Sequence, residues 1–318
     1  MNDIVIRLGS SILNLCVRYM QHKEKANSKL GDEFDLNNFN SLMQCPICEA
    51  DSSIVDSIRT INPSSEQKFD LRECSSCCHW WIDPMPTQQY LNMSYGSGSP
   101  FVVGKIEGES FYLSENLSIP EESVLNYELE LNKDDLAGLT YLEIGIGDGN
   151  LFSAFRDKGA VCCGVEPGDT AKGFENIYRD IADLPRNLKF DVIVCNDVLE
   201  HAESPQIFLE IFASVSHSKS RLYCSFPNNS SFRAFFSKGN WRMIRPIGHL
   251  HYFSNASVRL LFKLAGWKIL KLKKTDLFDI KDINIKKNPL KNLVQLPIEL
   301  LKLGDQWMLR AELDKSKN

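Results

Sequence analysis

The segment Tyr141-Leu-Glu-Ile-Gly-Ile-Gly-Asp-Gly149 begins as an apolar run and stops in three alternating glycines. Shortly after it, Val161-Cys-Cys-Gly-Val-Glu166-Pro reads as a second short apolar strand that ends on a carboxylate. A strand running into glycines and then a helix lets backbone approach a ligand closely. An acid at the tip of the next strand can accept both hydroxyls of a ribose. The two segments together point to a nucleoside site on an α/β sheet.

The glycine spacing narrows the ligand. A dinucleotide loop needs G-x-G-x-x-G, with its helix N-terminus facing a pyrophosphate. Here the third glycine comes one residue early, and Asn150 stands where that fingerprint wants glycine. Glu143 and Asp148 would repel a pyrophosphate but attract a sulfonium and an α-ammonium group. A dehydrogenase reading is therefore disfavoured. The pattern E-x-G-x-G-x-G is similar to the first motif of class I S-adenosylmethionine-dependent methyltransferases.

Downstream segments agree in order. Phe190-Asp-Val-Ile-Val-Cys-Asn196 is a buried-strand candidate, with Asp197-Val-Leu-Glu-His201 at its carboxyl end. Pro205 to Val215 has helical apolar spacing (Ile207, Phe208, Ile211, Phe212, Val215), with Ser204-Pro205 as cap and first position. Arg221-Leu-Tyr-Cys-Ser-Phe226 is another strand, ended by Pro227-Asn-Asn229. Alternating strands and helices imply a parallel sheet covered on both faces, with ligands at the strands' carboxyl ends.

This series, with His249-Leu-His-Tyr-Phe-Ser-Asn-Ala-Ser-Val258 beyond it, resembles the subgroup that includes ubiquinone-biosynthesis O-methyltransferases and glycan-tailoring enzymes. The resemblance covers about residues 138 to 313. It implies a Rossmann-like α/β fold of seven strands, parallel with one antiparallel edge strand, and S-adenosyl-L-methionine as cofactor. Asp305-Gln-Trp-Met-Leu-Arg-Ala-Glu312 would be the antiparallel edge strand and Trp267 to Lys273 its hairpin-like partner. It also implies roles. Gly145, Gly147 and Gly149 would lie under the methionine part and ribose, Glu143 would meet the α-ammonium group, and Glu166 would bind the ribose hydroxyls. The adenine amino group would meet Asp180 or Asp183, of which Asp183 fits the family's ending better. Asn196 would sit beside the transferable methyl. His201 and His249 are the candidate bases for an acceptor hydroxyl or acidic carbon, and Tyr252 and Trp241 either line the acceptor pocket or pack as ordinary lid residues.

Before the sheet stand two C-x-x-C knuckles, Cys45-Pro-Ile-Cys48 and Cys74-Ser-Ser-Cys77, with strand-like segments Ser53 to Ile61 and Lys68 to Arg72 between them. Two tight turns supply four sulfurs to one tetrahedral centre, the signature of structural zinc. A redox C-x-x-C or plain buried cysteines are the competing readings. Cys78 and His79 leave the ligand count open, because either can replace Cys77. The run Arg72 to Thr87 resembles the zinc-binding domain of sugar- and antibiotic-tailoring methyltransferases. Their pattern has Cys-Gly-His where this chain has Cys77-Cys78-His79, so a non-glycine is expected at a position that favours φ > 0. A closed thiolate centre would be structural and would support a substrate-facing lid.

The 318 residues divide into an N-terminal helical segment (1–40), a small zinc-ribbon-like module (41–88), a linker or helical cap (89–137) and the S-adenosylmethionine-binding domain (138–318). That last domain carries a substrate-covering insertion at 227–253. An amphipathic stretch at 1–20 is expected to pack on the body, with peripheral membrane contact the lesser reading because its polar face is poor in cations. Tyr95 to Pro100 reads as flexible, Glu121 to Asp135 and Lys281 to Lys291 as solvated surface, and Leu290 to Leu303 as a second amphipathic helix. A hydrophobic fraction of 43%, a charged fraction of 24% and a net charge of -5 fit a globular enzyme and give no reason to expect nucleic-acid binding. The ten cysteines, with neither a signal peptide nor a membrane span read from the sequence, point to a reducing cytoplasm. The expected acceptor is a small molecule or a nucleotide-linked sugar or glycan precursor. A ribosomal RNA methyltransferase is the main rival, weakened by the acidic charge and by Asn196-Asp-Val-Leu199 in place of Pro-Pro-aromatic. A non-catalytic interaction module is weakened by the intact Glu143, Gly145, Gly147, Gly149 and Glu166.

Overall fold

A computed structural model of the chain describes residues 39–59, 68–87, 90–91, 136–147, 149–168, 171, 173–185, 187–246, 248–275 and 304–314. The expectations for 1–20, Tyr95 to Pro100, Glu121 to Asp135, Lys281 to Lys291 and Leu290 to Leu303 fall outside these residues, as does Asp148. Among the described residues, no helix is long and apolar enough to cross a membrane.

The cysteine module is built from β1 (Phe39–Asn40), β2 (Ser52–Arg59), β3 (Lys68–Cys74), β4 (Trp80–Asp83) and β5 (Met85–Pro86). β2, β3 and β4 form an antiparallel meander, and β1 pairs with β5. Trp-Trp-Ile-Asp in β4 is buried throughout. Its Asp83 is paired with buried Arg72 at 2.6 Å and also accepts the Leu42 amide at 2.9 Å. The module's first turn is thereby tied to its sheet.

The second sheet contains β6 (Thr140–Ile144), β7 (Val161–Val165), β8 (Ile177–Tyr178), β9 (Phe190–Asn196) and β10 (Ser216–Pro227), which pair in parallel. Near-continuous burial along β6, β7 and β9 is what a sheet covered on both faces demands. Helix α1 (Asn150–Asp157) packs Phe155 flat on Tyr141, ring centroids 3.9 Å apart. Helix α2 (Pro205–Ser214) starts as read from sequence, with Ser204 accepting the Ile207 amide and proline in the first turn.

The chain then leaves the sheet for the insertion, which holds α3 (Phe232–Ser237) and β11 (His251–Tyr252). β11 adds to the cysteine module's sheet, giving the order β11-β4-β3-β2. Helix α4 (Asn255–Leu264) follows behind a reciprocal Ser254–Ser257 capping box. β12 (Trp267–Thr275) and β13 (Gln306–Leu313) complete seven strands in the order β12-β13-β10-β9-β6-β7-β8.

The antiparallel strand does not lie at the sheet's edge as expected. β13 is the single antiparallel strand but lies one position in from the edge, and β12 forms the edge itself. Side-chain chemistry explains the placement. β13 brings Trp307, Leu309 and Ala311 into the core. β12 carries Lys268, Lys271, Lys273 and Lys274, and such charge on an edge strand discourages pairing with another chain.

Candidate active site and cysteine centre

The carboxyl ends of the parallel strands converge on one rim. β6 delivers the glycine loop, β7 delivers Glu166, β9 delivers Asn196, and a 3-10 turn, Leu199–His201, follows β9. All three glycines have left-handed φ, at 74°, 58° and 76° for Gly145, Gly147 and Gly149. A Cβ at Gly145 would meet Val198 Cγ2 at 2.5 Å, and one at Gly149 would meet the Phe174 ring at 2.4 Å. At Gly147 a Cβ would meet nothing within 4 Å among the described residues. The protein's own packing therefore requires the outer two glycines, whereas none of the described residues crowds the middle one.

Glu166 is tied to this loop. Its Oε2 accepts the Gly147 amide at 3.1 Å and its Oε1 accepts the Gly168 amide at 2.8 Å. Glu143 is buried on the α1 side of β6 and accepts the Tyr141 hydroxyl at 2.9 Å. Burial, with Glu143 beside it, pushes the Tyr141 phenol well above its ordinary range. Asn196 accepts a long bond from Ser225 Oγ at 3.4 Å. Asp180 is used as a cap, accepting the Ala182 amide at 2.9 Å, while Asp183 is exposed at the end of that short turn.

His201 and His249 meet edge to face, ring centroids 4.8 Å apart. His201 Nδ1 donates to the Gly248 carbonyl at 2.5 Å, and His249 Nδ1 donates to the Met243 carbonyl at 2.8 Å. Burial is the main force lowering both, His201 to about 4 and His249 well below its ordinary value; the Arg245 charge adds to each. Both imidazoles are neutral at neutral pH. Because Nδ1 of His249 carries its proton toward Met243, Nε2 is its basic nitrogen.

Sequence reasoning did not single out three neighbours. Glu200 is 1% exposed, and neither carboxylate oxygen finds a hydrogen-bond partner among the described residues. Burial first, then Asp197, raises it far above the carboxylate range. Asp197, at φ 51°, accepts Gln306 Nε2 at 2.8 Å and so joins the tips of β9 and β13. Arg245 supplies the positive charge felt by both histidines. Glu200 stands in the sequence directly before His201, but its burial depends on the distant insertion. Trp241 and Tyr252 are almost wholly buried in the core shared by the insertion and the cysteine module, so they pack the lid and do not line an open pocket.

The four knuckle sulfurs converge as the spacing predicts: Cys45, Cys48, Cys74 and Cys77 place their Sγ atoms within 4.8 Å of one another. Measured separations are 3.6 Å for Cys45–Cys77, 3.3 Å for Cys48–Cys74 and 3.6 Å for Cys48–Cys77. A disulfide would need about 2.05 Å. Four sulfurs about 2.3 Å from a central zinc would stand about 3.8 Å apart, so the set fits a tetrahedral ion with slight expansion. The turns match each other. Cys45 N–H bonds Ala50 O and Cys74 N–H bonds His79 O, both at 2.9 Å, and the residues after each second cysteine, Glu49 and Cys78, have φ of 60° and 54°. The Cys77 thiol, together with the Ile47 and Cys48 amides, holds Cys45 down to about 5 and favours a thiolate there. Cys78 is exposed, and the buried His79 faces His251 at 3.0 Å, so neither displaces Cys77.

Residues 122–272 match a family model described as a methyltransferase domain, a little under half of the chain. No curated protein matches it. Similar solved structures include magnesium protoporphyrin IX methyltransferase from Synechocystis PCC 6803 with bound SAH, 19% identical with a TM-score of 0.42, covering 61% of this chain and 81% of that one. An S-adenosylmethionine-dependent methyltransferase from Archaeoglobus fulgidus is 17% identical at a TM-score of 0.42, covering 60% and 92%. The 1,6-didemethyltoxoflavin-N1-methyltransferase of Burkholderia thailandensis is 13% identical at 0.42, covering 63% and 79%. These likenesses concern the fold alone. What the chain shares with a named family is thus a methyltransferase domain over residues 122–272.

Proposed function

We propose that this protein transfers a methyl group from S-adenosyl-L-methionine to oxygen or carbon of a small-molecule or sugar or glycan-precursor acceptor, with His249 as the base. The observation that carries this reading is the single unit formed by the glycine loop and Glu166 at adjacent strand tips. Each oxygen of Glu166 that accepts an amide keeps a further acceptor position for a ribose hydroxyl. The open side of Gly147 leaves room for the nucleoside. Asp183 is the proposed contact for the adenine amino group, Glu143 for the α-ammonium and Asn196 for the methyl end.

The bound donor supplies a methyl already activated by a sulfonium, so the chain's task is alignment of the acceptor and removal of its proton. Nε2 of His249, unprotonated at neutral pH, is the nitrogen proposed to take that proton; the Met243 carbonyl fixes the tautomer. His201, bound through Nδ1 to the Gly248 carbonyl, clamps the turn after β9 to the insertion. Cys45, Cys48, Cys74 and Cys77 would hold a structural zinc, whose role would be to brace the fold and not to supply chemistry.

The test is isothermal titration with S-adenosylhomocysteine, followed by transfer of labelled methyl to a panel of nucleotide-linked sugars. Heat of binding that disappears in Glu166→Ala supports the donor site. A wild-type chain that gives no heat with the product rejects it. Label transfer lost in His249→Ala but kept in His201→Ala supports the assignment of the base, and the reverse result overturns it.

A further inference from the structure

The insertion that carries His249 is tied near both of its ends to the second cysteine turn, beside bonds to the β13 side of the main sheet from Asn228 to Gly304 and Asp305 and from Trp307 to Phe253. At its start, Asn229 Nδ2 donates to the Cys78 carbonyl at 2.8 Å. At its end, Ser254 Oγ donates to the Cys77 carbonyl at 2.5 Å. Between these anchors β11 pairs with β4, His251 opposite Trp81 and Tyr252 opposite Trp80. The Ile82 amide bonds the Leu250 carbonyl at 3.1 Å, and His79 Nε2 meets His251 Nδ1 at 3.0 Å. Tyr252 carries the connection onward, because its hydroxyl donates to the His249 carbonyl at 2.9 Å and accepts the Arg245 amide at 3.1 Å. Every step from the cysteine turn to His249 is thus a hydrogen bond or a strand pair.

The Cys77 and Cys78 carbonyls point at the insertion only while their turn is closed. Closure rests on the Cys74 and Cys78 amide bonds and on a left-handed Cys78, a conformation that costs a non-glycine residue about 1–2 kcal/mol. Four thiolates drawn to one ion hold that turn shut. The glycine loop and Glu166 hang from β6 and β7, beyond β9 in the sheet order.

We infer that a tetrahedral divalent ion on Cys45, Cys48, Cys74 and Cys77 positions the acceptor lid, residues 228–254, and through it His249, while leaving the nucleoside side of the site unchanged. Asn229 and Ser254 are the positioning residues that transmit this. The inference rests on the zinc reading given above, and on His249 serving the acceptor.

The experiment compares the full-length protein as purified, after chelator treatment, and as Ser254→Ala, Asn229→Ala and Ser254→Thr variants. Metal content is read by elemental analysis, amide exchange of 228–254 by mass spectrometry, and S-adenosylhomocysteine affinity by titration. Expected are one zinc per chain, exchange across 228–254 faster by about tenfold or more after chelation, and affinity within about threefold. Ser254→Ala and Asn229→Ala should loosen the same residues with zinc retained, and Ser254→Thr should restore protection. Zinc bound but exchange unchanged on its removal overturns the coupling. Affinity falling as far as the lid loosens overturns its selectivity, since the ion would then merely hold the fold. A protein without metal removes the zinc reading itself. Failure to bind S-adenosylhomocysteine when metal-loaded strikes the donor-site proposal and leaves the exchange comparison to be judged alone.

Discussion

The Gly147 amide donates to the Glu166 carboxylate at 3.1 Å, so the loop after one strand and the acid after the next move as one piece. Hydrogen bonds to a charged group contribute about 1.5–3 kcal/mol. Glu166→Ala should therefore weaken S-adenosylhomocysteine binding roughly 10- to 100-fold, with Glu166→Gln falling between it and wild type. Calorimetric titration of the three proteins checks this. Equal affinities would dismiss a ribose role for Glu166.

The glycines of the loop separate protein packing from ligand space. Gly145→Ala adds a methyl against Val198 Cγ2 at 2.5 Å in a left-handed backbone, so it should lower the melting temperature by several degrees. Gly147→Ala meets nothing within 4 Å among the described residues and has the backbone cost of its left-handed φ. It should melt closer to wild type than Gly145→Ala while losing more affinity per degree. Thermal scans paired with titration decide the matter. A Gly147→Ala protein that binds normally would show that the nucleoside does not use this space.

The histidines set an acid limit. His201 and His251 are held down to about 4 and His249 also lies low, in each case mainly by burial. A depressed histidine leaves the unfolded chain binding more protons, so stability is full above the unfolded value near 6.5 and is lost as pH falls toward about 4. Glu200 works in the opposite sense, because its raised value makes stability fall as pH rises through it. His79 is lowered by burial as well and Asp197 is raised by it, so four histidines against two acids give a net loss on acidification. Melting temperature should drop between pH 6.5 and 4.5, less steeply in His249→Gln. A flat profile would contradict the burial of these rings.

Much of this was legible in the chain because it is local. The glycine run, the Ser204 cap and the paired cysteine turns are each set by a few adjacent residues, and the structure reproduces them. The order of the last two strands was not, since an apolar alternation in β13 and a lysine-rich β12 show their places only when β10 selects a partner. Glu200 escaped for the same reason. Its burial comes from the insertion, where the Leu250 amide meets the Glu200 carbonyl at 2.7 Å across a long separation in sequence. Lid contacts between Cys77, Cys78, Asn229 and Ser254 likewise have no sequence signal, because two of the four partners are backbone carbonyls.

Arg72 and Asp83 form a buried pair at 2.6 Å, with side chains 7% and 6% exposed. Asp83 also takes the Leu42 amide, and Arg72 reaches the Ser52 hydroxyl at 3.3 Å, so the pair fixes the approach to Cys45. Removing one partner of such a pair strands the other charge, at a cost of about 3–5 kcal/mol. The exposed Lys268–Glu312 pair at 3.2 Å offers a control, since pairs of that kind contribute about 0–1 kcal/mol. Arg72→Met should lower the melting temperature sharply and speed the release of zinc to a chelator, whereas Lys268→Ala should leave both near wild type. If the two variants melt alike and release metal alike, Arg72 is not what braces the first cysteine turn.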